Sequence, residues 1–95
     1  MVDILIRLKV RDFDAFWQGF QERGAPLREG HGSKGVSVLR SQDDPHAVVL
    51  HCRWESRERF SEFLQDPAVQ DSMIKGGVIG RLEIEHLDRV GELPA

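Results

Sequence analysis

Apolar and polar residues alternate over the first ten positions. Val2, Ile4, Ile6, Leu8 and Val10 fall on one side of an extended chain and Asp3, Arg7 and Lys9 on the other, with Leu5 the one apolar residue among the latter. A period of two in β-branched residues predicts a half-buried strand over Val2–Val10. The period then changes. Phe13, Phe16, Trp17 and Phe20 recur at helical spacing as one apolar stripe, and the Asp12 carboxylate can accept from the free N–H groups of a first turn. Gly24, with Pro26 soon after, predicts the end of this helix. Leu27–Gly35, with three glycines, predicts a loop.

Alternation returns in Val36–Arg40, a second strand. Gln42-Asp43-Asp44-Pro45 is a turn, because Pro45 lacks an N–H and the Asp side chains bond locally. Ala47–Trp54 is a third strand, with Val48, Leu50, Cys52 and Trp54 on one face and Val49, His51 and Arg53 on the other; it forms a hairpin with the second. Ser56 caps a second helix whose stripe is Phe60, Phe63 and Leu64. Asp66-Pro67 restarts that helix, since proline at a first helical position has no intrahelical N–H to lose. Val69, Met73 and Ile74 are expected to face inward, and Gly76-Gly77 to end it. The last strand is expected from about Arg81 to Val90, with Leu82, Ile84 and His86 on one face and Glu83, Glu85 and Leu87 on the other.

Strand, helix, strand, strand, helix, strand is the ferredoxin-like βαββαβ order. The expected fold class is α+β, a four-stranded antiparallel sheet with helices on one face. At 95 residues the chain is read as one domain, 1–95. About 5,500 Å² of surface is expected for a folded chain of this size. Charge narrows the partners. The formal net charge is −3, and ten Arg and three Lys are scattered along the chain, so no basic patch points to nucleic acid. The outward residues of the first and third strands include no aromatic platform on which bases could stack. No apolar run is long enough to span a bilayer, and the first residues do not read as a signal peptide; a cytoplasmic protein without a membrane partner is expected. The single Cys52 excludes an internal disulfide.

Four histidines, His31, His46, His51 and His86, form no close ligand pair in sequence. His51 and His86 fall on opposite faces of the sheet, two strand spacings or about 10 Å apart, so no metal site is expected. His31, in the glycine-rich loop, and His46, after the turn, are expected to be solvent-exposed. His86 shares the phase of Leu82 and Ile84. It reads either as a partly buried, hydrogen-bonded histidine or as a pocket acid/base. Arg40, in phase with Val36 and Val38, reads either as a charge at a cleft edge or as a surface arginine after a strand. Trp17, Phe20, Phe60, Phe63 and Met73 lie on helix stripes, the layer that serves both as core and as pocket wall. Cys52 faces the core as a small hydrophobe. Gly30–Gly35 lacks the spacing of a phosphate loop and precedes a strand. The other sheet face mixes Leu5, Leu39, Val49 and Leu87 with Arg7, Lys9, His51, Arg53, Glu83 and Glu85. Two readings stand: a solvated surface of paired charges, or a contact with a second copy.

Val36–Arg40, Asp43-Asp44-Pro45, the strand ending in Trp54-Glu55-Ser56, Phe60, Phe63-Leu64, Asp66-Pro67 and Gly76-Gly77-Val78 together resemble the antibiotic biosynthesis monooxygenase-like group. The resemblance implies a dimeric α+β barrel, in which two sheets face each other with the helices outside. It implies a homodimer with a cleft between sheet and helices in each subunit. There a small hydrophobic or aromatic molecule would bind, with cofactor-free oxidation or polyketide cyclisation as the activity and no cofactor required. The cofactor-free members use a Trp at the end of the third strand, matched by Trp54. They pair it with an Asn earlier on that strand, where this chain has Leu50; it has no Asn at all. Haem-degrading members use a His in the second helical region, and Ser56–Gly77 contains none. The candidate catalytic residues are therefore His86 and Trp54, and the candidate ligand contacts Trp17, Phe20, Arg40, Phe63 and Met73. A non-catalytic binding or stress-related dimer with a vestigial cleft is the alternative.

Overall fold

The two most strictly alternating segments lie side by side at the centre of the sheet. The computed structural model describes all 95 residues. Its elements are β1 (Val2–Val10), α1 (Phe13–Glu22), α2 (Gly24–Gly30), β2 (Ser33–Arg40), β3 (Ala47–Trp54), α3 (Arg57–Gln65), α4 (Pro67–Lys75) and β4 (Val78–Leu87). Four antiparallel strands in the order β2-β3-β1-β4, with four helices, make the expected α+β ferredoxin-like fold.

Register explains the core. Ile4 pairs with Cys52, Ile6 with Leu50 and Leu8 with Val48, so the apolar phases of β1 and β3 coincide on one face. Those residues join Val10, Phe16, Trp54 and Phe60 in one buried cluster beneath the helices. Each large side chain so buried contributes about 1.5–3 kcal/mol. The helix starts follow the capping chemistry. Asp12 accepts from the Asp14 N–H, Ser56 from the Arg59 N–H, and Asp66 from the Ala68 N–H with Pro67 in the first turn.

Four expectations are corrected. Gly24 and Pro26 do not close the helical region: after Arg23 the chain bends into α2, and Pro26 lies in its first turn. The first N–H groups of a helix have no intrahelical acceptor, so proline costs nothing there. His31, at the end of α2, is half-buried rather than exposed. Ile74 points to solvent, at 73% exposure. Finally, β4 runs from Val78 to Leu87, not from Arg81 to Val90. Its pairing shifts between Arg7 and Lys9, which face Glu83 and Ile79. Gly80, with φ +72°, sits in this bulge, a conformation that glycine adopts without a Cβ penalty. The shift puts Ile79 on the outer face, opposite Lys9.

Candidate functional site

Between the inner face of the sheet and the helices lies a cavity of about 80 Å³, with 15 hydrophobic residues among the 19 that line it. β3 contributes Leu50, Cys52 and Trp54, α1 contributes Phe20, α3 contributes Phe63, and α4 contributes Ser72 and Met73. Polar groups are few in such a lining, so each counts for orientation.

Trp54 forms one wall. It is 1% exposed, edge-on to Phe60 at 5.1 Å between centroids and 4.8 Å from Phe63. Its indole N–H donates to the His31 carbonyl oxygen at 2.8 Å, which satisfies the polar end of a buried tryptophan. The segment that accepts this bond is itself tied down. His31 Nε2 lies 2.8 Å from Asp66 Oδ2, and its ring meets Phe63 edge-on. That contact, ahead of the Ala68 N–H, holds the Asp66 carboxyl below its ordinary value.

The one charged residue in the lining is Arg28 of α2. Its guanidinium stacks on the Phe20 ring at 3.9 Å, and Nη1 donates to the Phe20 carbonyl oxygen at 2.8 Å. No carboxylate lies within 4.0 Å of it, since Arg28 takes part in none of the ion pairs of the chain. Burial lowers its pKa from the usual guanidinium value. Burial also pushes the Cys52 thiol up to about 11, against a weaker opposing pull from Arg28; the thiol stays protonated near neutrality and is no nucleophile.

The structure brings four of the seven candidate residues into the lining: Trp54, Phe20, Phe63 and Met73. The other three lie outside it. His86 stands on β4 opposite Ile4, exposed, with its ring edge-on to Phe60 at 6.0 Å. Partial burial, and then the charge of Arg57, lower its pKa. Trp17 stacks between Phe13 and Phe20 on the outer side of α1. The Arg40 guanidinium covers the Phe13 ring at 4.6 Å. The aromatic stripe of α1 thus carries an arginine at each end, Arg40 outside and Arg28 inside. Arg28 is the residue that reading the sequence missed, because it stood in a segment taken as a loop. In the structure its guanidinium lies close over Gly24, where a Cβ would meet Nη1.

No group of three or more His, Cys, Asp or Glu side chains is placed to hold a metal ion, and no helix is long and apolar enough to cross a membrane. The family model for antibiotic biosynthesis monooxygenase matches residues 1–73. The chain belongs to that family. Solved structures agree on the fold. SnoaB, a cofactor-independent oxygenase from Streptomyces nogalater, superposes with a TM-score of 0.77 at 18% identity, over 99% of this chain and 97% of that one. A crystal structure described as an antibiotic biosynthesis monooxygenase gives 0.73 at 14% identity, over 96% and 100%. Rv0793 from Mycobacterium tuberculosis gives 0.67 at 20%, over 96% of each chain. No curated protein matches the sequence.

Proposed function

We propose that this family member is a homodimer that binds a small hydrophobic or aromatic molecule in the sheet–helix cavity and oxidises it with dioxygen, without a bound cofactor. The observation that carries the reading is the cavity itself: an apolar, aromatic-walled space with one cation, in the layer between sheet and helices. The fold likeness to a cofactor-independent oxygenase supports the reaction class. The overall reaction on an anthrone-type ring is simple to balance. A ring methylene gives up two hydrogens and gains a carbonyl oxygen from O2, and the second oxygen atom leaves as water. In this reading Trp54 is the wall against which the ring packs. His86, in contact with Phe60 of the lining, is an imidazole one aromatic ring removed from the ligand.

The outer sheet face supports the dimer. Leu39, Ile79 and Leu87 remain 54%, 40% and 40% exposed there, bordered by ion pairs. A second, non-catalytic reading has its own support. Leu50 stands where the oxygenases place an amide, and the Trp54 N–H is engaged by His31. The cavity, at about 80 Å³, is smaller than the roughly 150 Å³ that accommodates benzene, so a ligand must displace flexible lining such as Met73.

Oxygen uptake with anthrone as substrate, with anthraquinone followed by absorbance, separates the two. Uptake above the uncatalysed rate, lost in a Trp54→Ala sample that circular dichroism shows to be folded, is the expected result. Binding of anthrone without oxygen uptake would leave the non-catalytic reading. Native mass spectrometry of the same sample reports the dimer; a monomer at micromolar concentration would remove that part of the proposal.

A further inference from the structure

An arginine in an apolar cavity, with no carboxylate within 4.0 Å and Glu29 the one carboxylate whose charge reaches it, forms no ion pair within the protein. The cavity lining contains no acidic residue, and the only polar partner of the guanidinium is the Phe20 carbonyl oxygen, taken by Nη1. A guanidinium carries five N–H donors in a planar fork, and the single bond to the chain leaves others unpaired. The fork is also positioned in advance. Phe20 supports one of its faces, which leaves less side-chain freedom to lose on binding. Gly24 makes the space it occupies, since a Cβ at that position would meet Nη1. Charge-assisted bonds from arginine to a carboxylate or phenolate are about twice as strong as neutral ones, and they gain strength where water is excluded.

We infer that Arg28 makes the cavity selective for aromatic molecules carrying one oxyanion, a carboxylate or an ionised phenol, whose ring lies among Phe20, Phe63 and Trp54 and whose oxygen pairs with the guanidinium fork. The inference rests on the cavity being the ligand site. It goes beyond that reading in naming the charge of the ligand and the residue that selects it. It also bears on the reaction: an ionised ring oxygen makes the ring electron-rich, the form in which it gives electrons to dioxygen.

Three probes of similar size test it by calorimetric titration of the protein: 4-ethylbenzoate, 4-ethylbenzyl alcohol and 4-ethylbenzylammonium. The expected order is benzoate first, tighter than the alcohol by about ten-fold or more, with the ammonium weakest. 4-Nitrophenol, titrated above and below its own pKa, tells whether an ionised phenol is taken as well as a carboxylate. Two variants attack the same feature from different residues. Arg28→Met keeps the length of the side chain and removes the charge. Gly24→Ala keeps the charge and displaces the guanidinium. Both are expected to bring the benzoate-to-alcohol affinity ratio close to one, with circular dichroism reporting that the fold is kept. A ratio near one in the unaltered protein, with both probes bound, overturns the anion selectivity and leaves the cavity as a ligand site. A ratio that survives in both variants assigns the selectivity to another group and overturns the role of Arg28. Binding of none of the probes overturns both the selectivity and the cavity reading.

Discussion

The two faces of one sheet are built on opposite plans, although their residues alternate along the same strands. On the inner face, β1 and β3 set Ile against Cys and Ile against Leu, and every one of these side chains is buried. On the outer face the same strands set Leu5 against His51 and Arg7 against Val49, and polar groups hold one another. Arg7 bonds Glu85 at 2.6 Å, Asp3 receives both His51 and Arg89 at 2.8 Å, and Lys9 pairs with Asp44. The exposed pairs among these, Arg7–Glu85 and Lys9–Asp44, are worth less than about 1 kcal/mol each. The inner face therefore holds the fold and walls the cavity. The outer face contributes little to folding and is free to be a surface for a second copy.

The largest effect should come from the inner face. Trp54→Ala removes a fully buried ring that packs on Phe60 and Phe63 and bonds His31. A loss of about 3–5 kcal/mol is expected, read as a drop in the urea midpoint at constant slope. A loss below about 1 kcal/mol would mean that the ring is not the keystone that its burial implies.

The next largest effect should appear on the outer face, in association and not in folding. Leu39→Arg together with Ile79→Arg places cations on the two edge strands β2 and β4. Unfolding of the isolated chain should change by about 0.5 kcal/mol or less per site, while sedimentation shows dimer dissociation shifted by ten-fold or more. Equal self-association in the double variant would return this face to ordinary solvated surface.

A smaller and local effect is expected between the two layers, where α3 leaves β3. Ser56 Oγ accepts the Arg59 N–H at 3.1 Å, and Ser56→Ala should cost about 1 kcal/mol. Thermal unfolding resolves that amount; no change would show that water replaces the cap.

The comparison of faces also separates what the sequence revealed from what it concealed. β1 and β3 run over the residues that strict alternation predicts, because a one-residue error would turn a whole apolar set outward. The caps Asp12, Ser56 and Asp66 stood out for a similar reason: each is a short polar side chain placed before an apolar period. Two of the misses share a cause in glycine and proline. Gly24 and Pro26 read as a stop, yet Gly24 opens α2, with the Arg28 guanidinium close over it, and proline fits a first helical turn. Gly80 read as lying before the last strand, yet it is the bulge within it. The candidate site was legible where it coincided with the core, at Trp54, Phe20, Phe63 and Met73. It was hidden at Arg28, since no periodicity tells that a charged residue folds back over a neighbouring aromatic ring. His86 and Arg40 have the inward phase but sit near strand ends, beyond the reach of the cavity.

The smallest expected effect is on pH dependence, and it distinguishes the faces by where along the scale it falls. His86 shares the inner phase, and its pKa lies below the ordinary 6.5 because burial, then Arg57, disfavours its charged form. A depressed folded value means that stability is present above 6.5 and lost as pH falls through the folded value. Asp3 belongs to the outer face, and its carboxyl is held below 3.8 by hydrogen bonds from Arg89 and then His51. Its contribution is present above 3.8 and disappears as pH falls further. Acid should therefore weaken the protein in two steps, an upper one from the inner side of the sheet and a lower one that includes the outer network. Denaturant unfolding at a series of pH values should show the upper step flattened in His86→Gln and the lower step reduced in Asp3→Asn. An upper step of full size in His86→Gln would show that the imidazole titrates alike in the folded and unfolded chain, and that β4 holds it in water rather than against Phe60.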